Sequence, residues 1–257
     1  MCLFSSGFVQ TQNIKGTAMI DIKINAQPND ETCGATCLHA IYRHYGLDIS
    51  HEAVIGSVKK SLSGGTLATL LGIHALKQGF NVTVYTNNLY IVDPSWFDLN
   101  GSSVNELMCA KLEEQLKYKH NKDLVSISKA CLEYFSLGGE MRFETLTTGL
   151  LEHYFNRNIP IMTGLSATYL YRCLREYYTD EGVSVYDDVR GSPCGHFVIL
   201  CGHDKGGNHV VVADPHKENP LAHNNYYYVD INRLINAIML GVITSDGTLV
   251  IIEPKNK

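Results

Sequence analysis

Between Gln27 and Gly46 a run of polar turn formers gives way to apolar residues at helical spacing, QPNDETCGATCLHAIYRHYG. Pro28, Asn29 and Asp30 favour a turn, and Thr32 has the chemistry of an N-cap. Cys37, Ala40, Ile41 and His44 then recur at intervals of three and four, which predicts a helix beginning at Cys33 with one buried face. Leu47–Ser61 then reads as a second short helix. After the SLSGGT loop, Thr66 reads as the cap of another helix, carried by Leu67, Leu70, Leu71, His74, Ala75 and Leu76 and closed by Gly79. Phe80–Thr86 alternates as a strand does. Helical patterns return at Val104–Tyr118, Leu124–Phe135 and Thr145–Arg157, and a strand runs from Ile159. Tyr169, Leu170, Cys173, Leu174 and Tyr177 form a helical stripe before the acidic loop TDEGVSVYDDVRGSP, which is placed to cover or gate whatever follows it. Phe197–Cys201 and Val210–Ala213 are continuous apolar runs around Gly206 and Gly207, the pattern of a buried β-hairpin. The chain closes with NNYYYVDI, a helix over Asn232–Leu240, and the strand TLVIIEP, expected to complete the sheet.

Composition narrows the classes. Of 257 residues, 45% are hydrophobic and 18% charged, enough apolar material for a sizeable core. The net charge of −5, with no arginine or lysine cluster, argues against a nucleic-acid surface, since phosphate binding needs a basic face. Residues 1–20 read as an N-terminal extension without the basic and apolar regions of a signal peptide, and no stretch is apolar enough to span a membrane. Residues 21–257 read as one domain with a mainly helical insertion at about 88–140, where Trp96 is a loop anchor. Eight cysteines without paired spacing fit a reduced, cytoplasmic protein, with delivery by a specialised secretion system left open. Cys194, His196, Cys201 and His203 are the one set worth weighing for zinc. Their spacing is not that of a knuckle, and strand alternation splits His196 from Cys201, so neither a metal nor another cofactor is expected.

Two of these segments carry the chemistry. At the first position of its helix, Cys33 feels the positive end of the helix dipole, which favours thiolate over thiol, and Gly34 behind it permits close approach by backbone or substrate. Cys37, one turn inside on the apolar stripe, reads as a small hydrophobe. A nucleophilic thiol needs a base. His196 begins the first strand of the hairpin and Asp214 ends the second, so antiparallel pairing makes them neighbours, the carboxylate fixing the imidazole. His203 and His209 lie at the far end; His216, two residues past Asp214, is the best rival base.

Gln27, Cys33, His196 and Asp214, in this order, resemble a papain-like cysteine peptidase. The phrases Gln27…Cys33-Gly34-Ala35…Cys37 and Gly195-His196…Asp214-Pro215 are more closely similar to the peptidases that remove double-glycine leaders from bacteriocin precursors and to their stand-alone bacterial relatives. The resemblance covers both phrases well and the middle of the chain poorly. It implies an α+β, papain-like fold, with the nucleophile helix packed on an antiparallel sheet and helices inserted. It also implies cleavage after small residues such as Gly-Gly.

Three function classes follow. Hydrolysis of a peptide or isopeptide bond uses Cys33, His196 and Asp214 as a triad, with the Gln27 amide and the Cys33 N–H as oxyanion donors. Acyl transfer captures the same thioester with an amine or hydroxyl. A non-catalytic peptide-binding module is the third. The partner in each case is a protein or peptide; the oligomeric state stays open.

Overall fold

The structure, a computed structural model, describes residues 19–61, 64–179, 181, 183–245 and 247–255. Nearly all of the expected N-terminal extension, and parts of the SLSGGT and TDEGVSV loops, lie outside the described residues.

Helix α1 (Cys33–His44) starts where expected but is not capped by Thr32. The Thr32 hydroxyl turns back and donates to the Asn29 carbonyl at 2.9 Å, closing the preceding turn and leaving the first helical turn without a side-chain cap. Burial is also wider than one face, for every residue from Cys33 to Tyr42 is buried. The cause is company on several sides: α1 packs on a strand below, on α2 (His51–Ser57) and on α3 (Ala68–Lys77). Gly34 serves this packing, because a Cβ there would stand 2.6 Å from Thr66 Cγ2 and 3.0 Å from Leu71 Cδ1. Thr66 does not cap α3; its hydroxyl donates to the Lys59 carbonyl, and α3 begins after Leu67 without a side-chain cap. His74 is a satisfied core residue, bonded to the Tyr42 hydroxyl at 2.8 Å and to Ser57 at 2.9 Å.

The architecture is α+β. A seven-stranded sheet is built from β1 (Phe80–Thr86), β2 (Glu140–Arg142), β3 (Ile161–Ser166), β6 (Gly195–His203), β7 (His209–Ala213), β8 (Tyr226–Asp230) and β9 (Thr248–Pro254). Its order is β2-β1-β9-β3-β6-β7-β8, antiparallel throughout except for β1 with β2. The strand TLVIIEP therefore does not close an edge; β9 lies between β1 and β3 and joins the two halves of the sheet.

Helices α4 (Asn105–Gln115) and α5 (Lys122–Ser136) form the expected helical pair, and α5 packs on α3 at the β1–β2 side of the sheet. Trp96, in a short 3-10 turn started by Asp93 and Pro94, packs against the core from a loop. Helix α6 (Thr148–Phe155) leads into β3. The stripe from Tyr169 to Tyr177 is not one helix. Helix α7 (Ala167–Tyr171) stops at Arg172, whose φ of +53° is left-handed, and the chain then makes a two-stranded hairpin of β4 (Glu176–Tyr178) and β5 (Ser184–Tyr186). Helix α8 (Ile231–Leu240), capped by Asp230, packs on β3 and α7. No described helix is long and apolar enough to cross a membrane.

Candidate active site

The hairpin of β6 and β7 pairs Ile199 with Ala213. Continued outward, this register sets Asp214 across from Val198 and puts His196, two residues along β6, on the same face. Such a diagonal pair lies within reach of long side chains. His196 Nε2 and Asp214 Oδ1 meet at 2.8 Å, with the histidine 6% exposed and the aspartate fully buried.

Asp214 has four donors. Oδ1 takes His196 and the His216 backbone N–H, the latter at 2.8 Å, while Oδ2 takes the hydroxyls of Tyr171 and Tyr227, each at 2.7 Å. Burial pushes this carboxyl up, but the charge and hydrogen bond of His196 and then the two tyrosines outweigh it and hold Asp214 below its ordinary 3.8. For His196 burial acts downward. It is overcome by the charge and hydrogen bond of Asp214 and by those of Cys33, which hold the imidazole up at about 10. Both phenols are driven well above their usual range, by burial first and the Asp214 charge second, so they stay protonated and donate.

Sequence reasoning missed both tyrosines. Tyr227 lies opposite Val212 in the β7–β8 ladder and is buried between exposed Tyr226 and half-buried Tyr228. A tyrosine at the inward position of an alternating strand needs a hydroxyl partner, and the nearby Asp-Pro was the available signal. Tyr171, the last residue of α7, arrives from 43 residues away and had no local signal.

Cys33 reaches the pair through its helix. Cys37 Sγ donates to the Phe197 carbonyl at 3.3 Å, which seats the second turn of α1 on β6 next to His196. Positions i and i+4 share a helix face, so Cys33 lies one turn away on that same face. Its side chain stands close enough to His196 to help hold the imidazole pKa up. With Nε2 given to Asp214, the ring nitrogen left for Cys33 is Nδ1. Cys37 itself is wholly buried; burial, then the charges of Cys33 and Asp214, drive its thiol far up, as suits a packing residue.

Gln27 is brought in by its backbone, whose N–H donates to the Pro215 carbonyl at 2.9 Å, immediately after Asp214. Its side-chain Nε2 donates to the Asn29 carbonyl at 3.0 Å, and its Oε1 is buried without a partner. An amide nitrogen carries two hydrogens, so one remains for another acceptor.

The His216 ring borders the site without joining it. It stands edge-on, 6.4 Å from the His196 ring centre, and burial followed by the His196 charge lowers its pKa. Only its backbone touches Asp214. His203 and His209 are at the other end of the hairpin, each bonded to Asp204. Of the set weighed for zinc, His196 is committed to Asp214, and Cys201 occupies a bulge between Leu200 and Gly202 with its thiol toward the Ile199 carbonyl. The acidic segment after β5 is drawn together by Arg190 and Asp187, at 2.7 Å.

Comparison with known proteins adds the lineage. The family model described as Peptidase_C39 like family matches residues 19–233. Among solved structures, that of xylellain, a cysteine protease from Xylella fastidiosa, aligns over 98% of this chain and 92% of that one, with a TM-score of 0.40 at 12% identity. No curated protein sequence matches. The family match begins at the first described residue, runs into α8 and takes in both segments that build the site, and the chain accordingly belongs to the Peptidase_C39-like family and is a cysteine peptidase.

Proposed function

We propose that Cys33 is the nucleophile of this peptidase, His196 its acid and base, Asp214 the group that orients the imidazole, and Gln27 an oxyanion donor. The observation that carries this reading is the buried His196–Asp214 pair, with Cys33 at the start of α1 contributing to the raised pKa of the imidazole. An imidazole held up at about 10 keeps its proton near neutrality, ready for the departing amine.

Thiolate attack on the substrate carbonyl carbon forms a C–S bond and pushes the π electrons onto oxygen. The free amide hydrogen of Gln27 and the Cys33 backbone N–H, at a helix terminus with no side-chain cap, receive that oxyanion. The carbonyl re-forms as the C–N bond breaks, and His196 passes its proton to the departing amine. Water then gives a proton to His196, its oxygen attacks the thioester, and the thiolate leaves as the acid product forms. Family membership supports small residues such as Gly-Gly before the scissile bond. Eight cysteines without paired spacing suit a reducing compartment such as the cytoplasm.

Intact-mass labelling with iodoacetamide tests the assignment. Fast single-site labelling well below pH 8.5, lost in Cys33→Ala and slowed in His196→Ala but retained in His216→Ala, is the expected result. Slow labelling spread over several thiols, or loss of the fast phase in His216→Ala alone, overturns it. A peptide library read by product mass then defines the residues before the cut.

A further inference from the structure

Away from Cys33, a cavity of about 540 Å³ opens between α7, α8 and the segment before β6. Arg172, Arg175 and Arg233 line it together with Tyr169, Leu240 and Ile243, and among the described residues no carboxylate does. Three of the seven arginines in a chain of net charge −5 therefore converge on one concavity.

Among the described residues, none of the three forms an ion pair. Arg233 donates to the Leu170 carbonyl and Arg175 to the carbonyls of Asp188 and Val189, which are neutral partners. Arg233 Nε is buried with no acceptor among the described residues. Buried donors of this kind are normally satisfied, so the vacancy points to a ligand that accepts hydrogen bonds. Burial, and next the charge of Arg172, pull the Arg233 guanidinium below its ordinary value, a cost that a bound anion removes.

We propose that this cavity is a carboxylate-binding site for a peptide, taking an acidic side chain or a chain-terminal carboxylate against the arginines while its apolar neighbours rest on Leu240 and Ile243. Guanidinium forks match a carboxylate in geometry as well as charge, and the volume is that of a small-ligand pocket. Pro193 lines the cavity and stands three residues before His196, so at most about 11 Å of chain separates the two. The peptide class rests on the peptidase reading; the anion class rests on the arginines alone.

The test uses the full chain with Cys33→Ala, so that nothing is turned over, and fluorescence anisotropy of three labelled hexapeptides of one apolar sequence. One has a free C-terminus, one is amidated and carries a single internal glutamate, and one is amidated and neutral. At least one acidic peptide should bind about tenfold more tightly than the neutral one, and which of them does so identifies the source of the carboxylate. That preference should vanish in Arg172→Asn, where asparagine accepts the left-handed backbone, and in Arg175→Gln, while Arg43→Gln, remote from the cavity, retains it. Equal binding of all three peptides, no binding of either acidic one at millimolar concentration, or the same loss in Arg43→Gln overturns the proposal. Because no cleavage is measured, an inert Cys33 and an empty cavity give separate results.

Discussion

Replacing Tyr227 by Phe removes one hydroxyl and leaves the ring. That hydroxyl donates to Asp214 Oδ2 at 2.7 Å in a site where the carboxylate is wholly buried, so water cannot substitute for it. A hydrogen bond to a buried charged acceptor contributes about 2 kcal/mol. For a chain of this size such a loss lowers the melting temperature by about 4–8 °C. The loss also depends on pH in a defined direction. Asp214 has a folded-state pKa below 3.8, so its contribution is present above that value and disappears as the pH falls through the folded pKa. Tyr227→Phe raises that folded pKa, because a bond to the ionised form has gone. The stability gap between variant and wild type should therefore be full at pH 7 and shrink in acid, while the acid limb of the kcat/KM profile moves to higher pH. Tyr171→Phe should behave alike, and the double variant should cost more than the sum, since Oδ2 then has no donor left. Thermal unfolding at pH 7 and pH 3, with pH–rate profiles, decides the matter. A gap of equal size at both pH values would refute the reasoning, because it would mean the hydroxyl acts through packing and not through the carboxylate charge.

At the alkaline end, His196 sets the limit: with a folded pKa raised from 6.5 to about 10, its stabilisation is whole below about 6.5 and is lost as pH rises through about 10. Iodoacetamide rates and unfolding midpoints between pH 8 and 11 should show that transition, and His196→Ala should lack it. Gln27→Ala should lower kcat about 100-fold with little change in KM, as expected for a donor used only in the transition state; steady-state kinetics on a cleaved peptide reads the split. Gly34→Ala should destabilise by about 1–3 kcal/mol, by forcing a methyl into Thr66 and Leu71, as measured by urea unfolding.

What could be read from the sequence was what local pattern encodes. The β6–β7 hairpin follows from two apolar runs around a glycine pair, and the position of Cys33 from the turn before its helix. Register then brings His196 to Asp214 without further information. The stripe at Tyr169–Tyr177 misled because its spacing runs across three pieces of chain: Tyr169 and Leu170 lie in α7, Cys173 and Leu174 in the link that follows the left-handed Arg172, and Tyr177 in β4. Thr32 and Thr66 each precede a helix but spend their hydroxyls on carbonyls of earlier turns, a choice set by loop geometry. Tyr171, Tyr227 and the arginine cavity depend on contacts between distant segments; Arg233 meets the Leu170 carbonyl across 63 residues. No periodicity carries that information.

The placement of β9 bears on what holds the enzyme together. Without it the seven-stranded sheet would be two pieces, β2 with β1 and β3 with β6, β7 and β8, each with an unpaired edge where the other should be. Strand β9 fills the gap between them, with Val82 against Ile252 on one side and Met162 against Val250 on the other. Helix α1 straddles this seam, resting on β6 while leaning on α3, which itself sits on β1 and β9. The support beneath the nucleophile helix therefore depends on β9 pairing with both of its neighbours, so a strand distant from Cys33 in sequence holds together the two halves on which its helix rests.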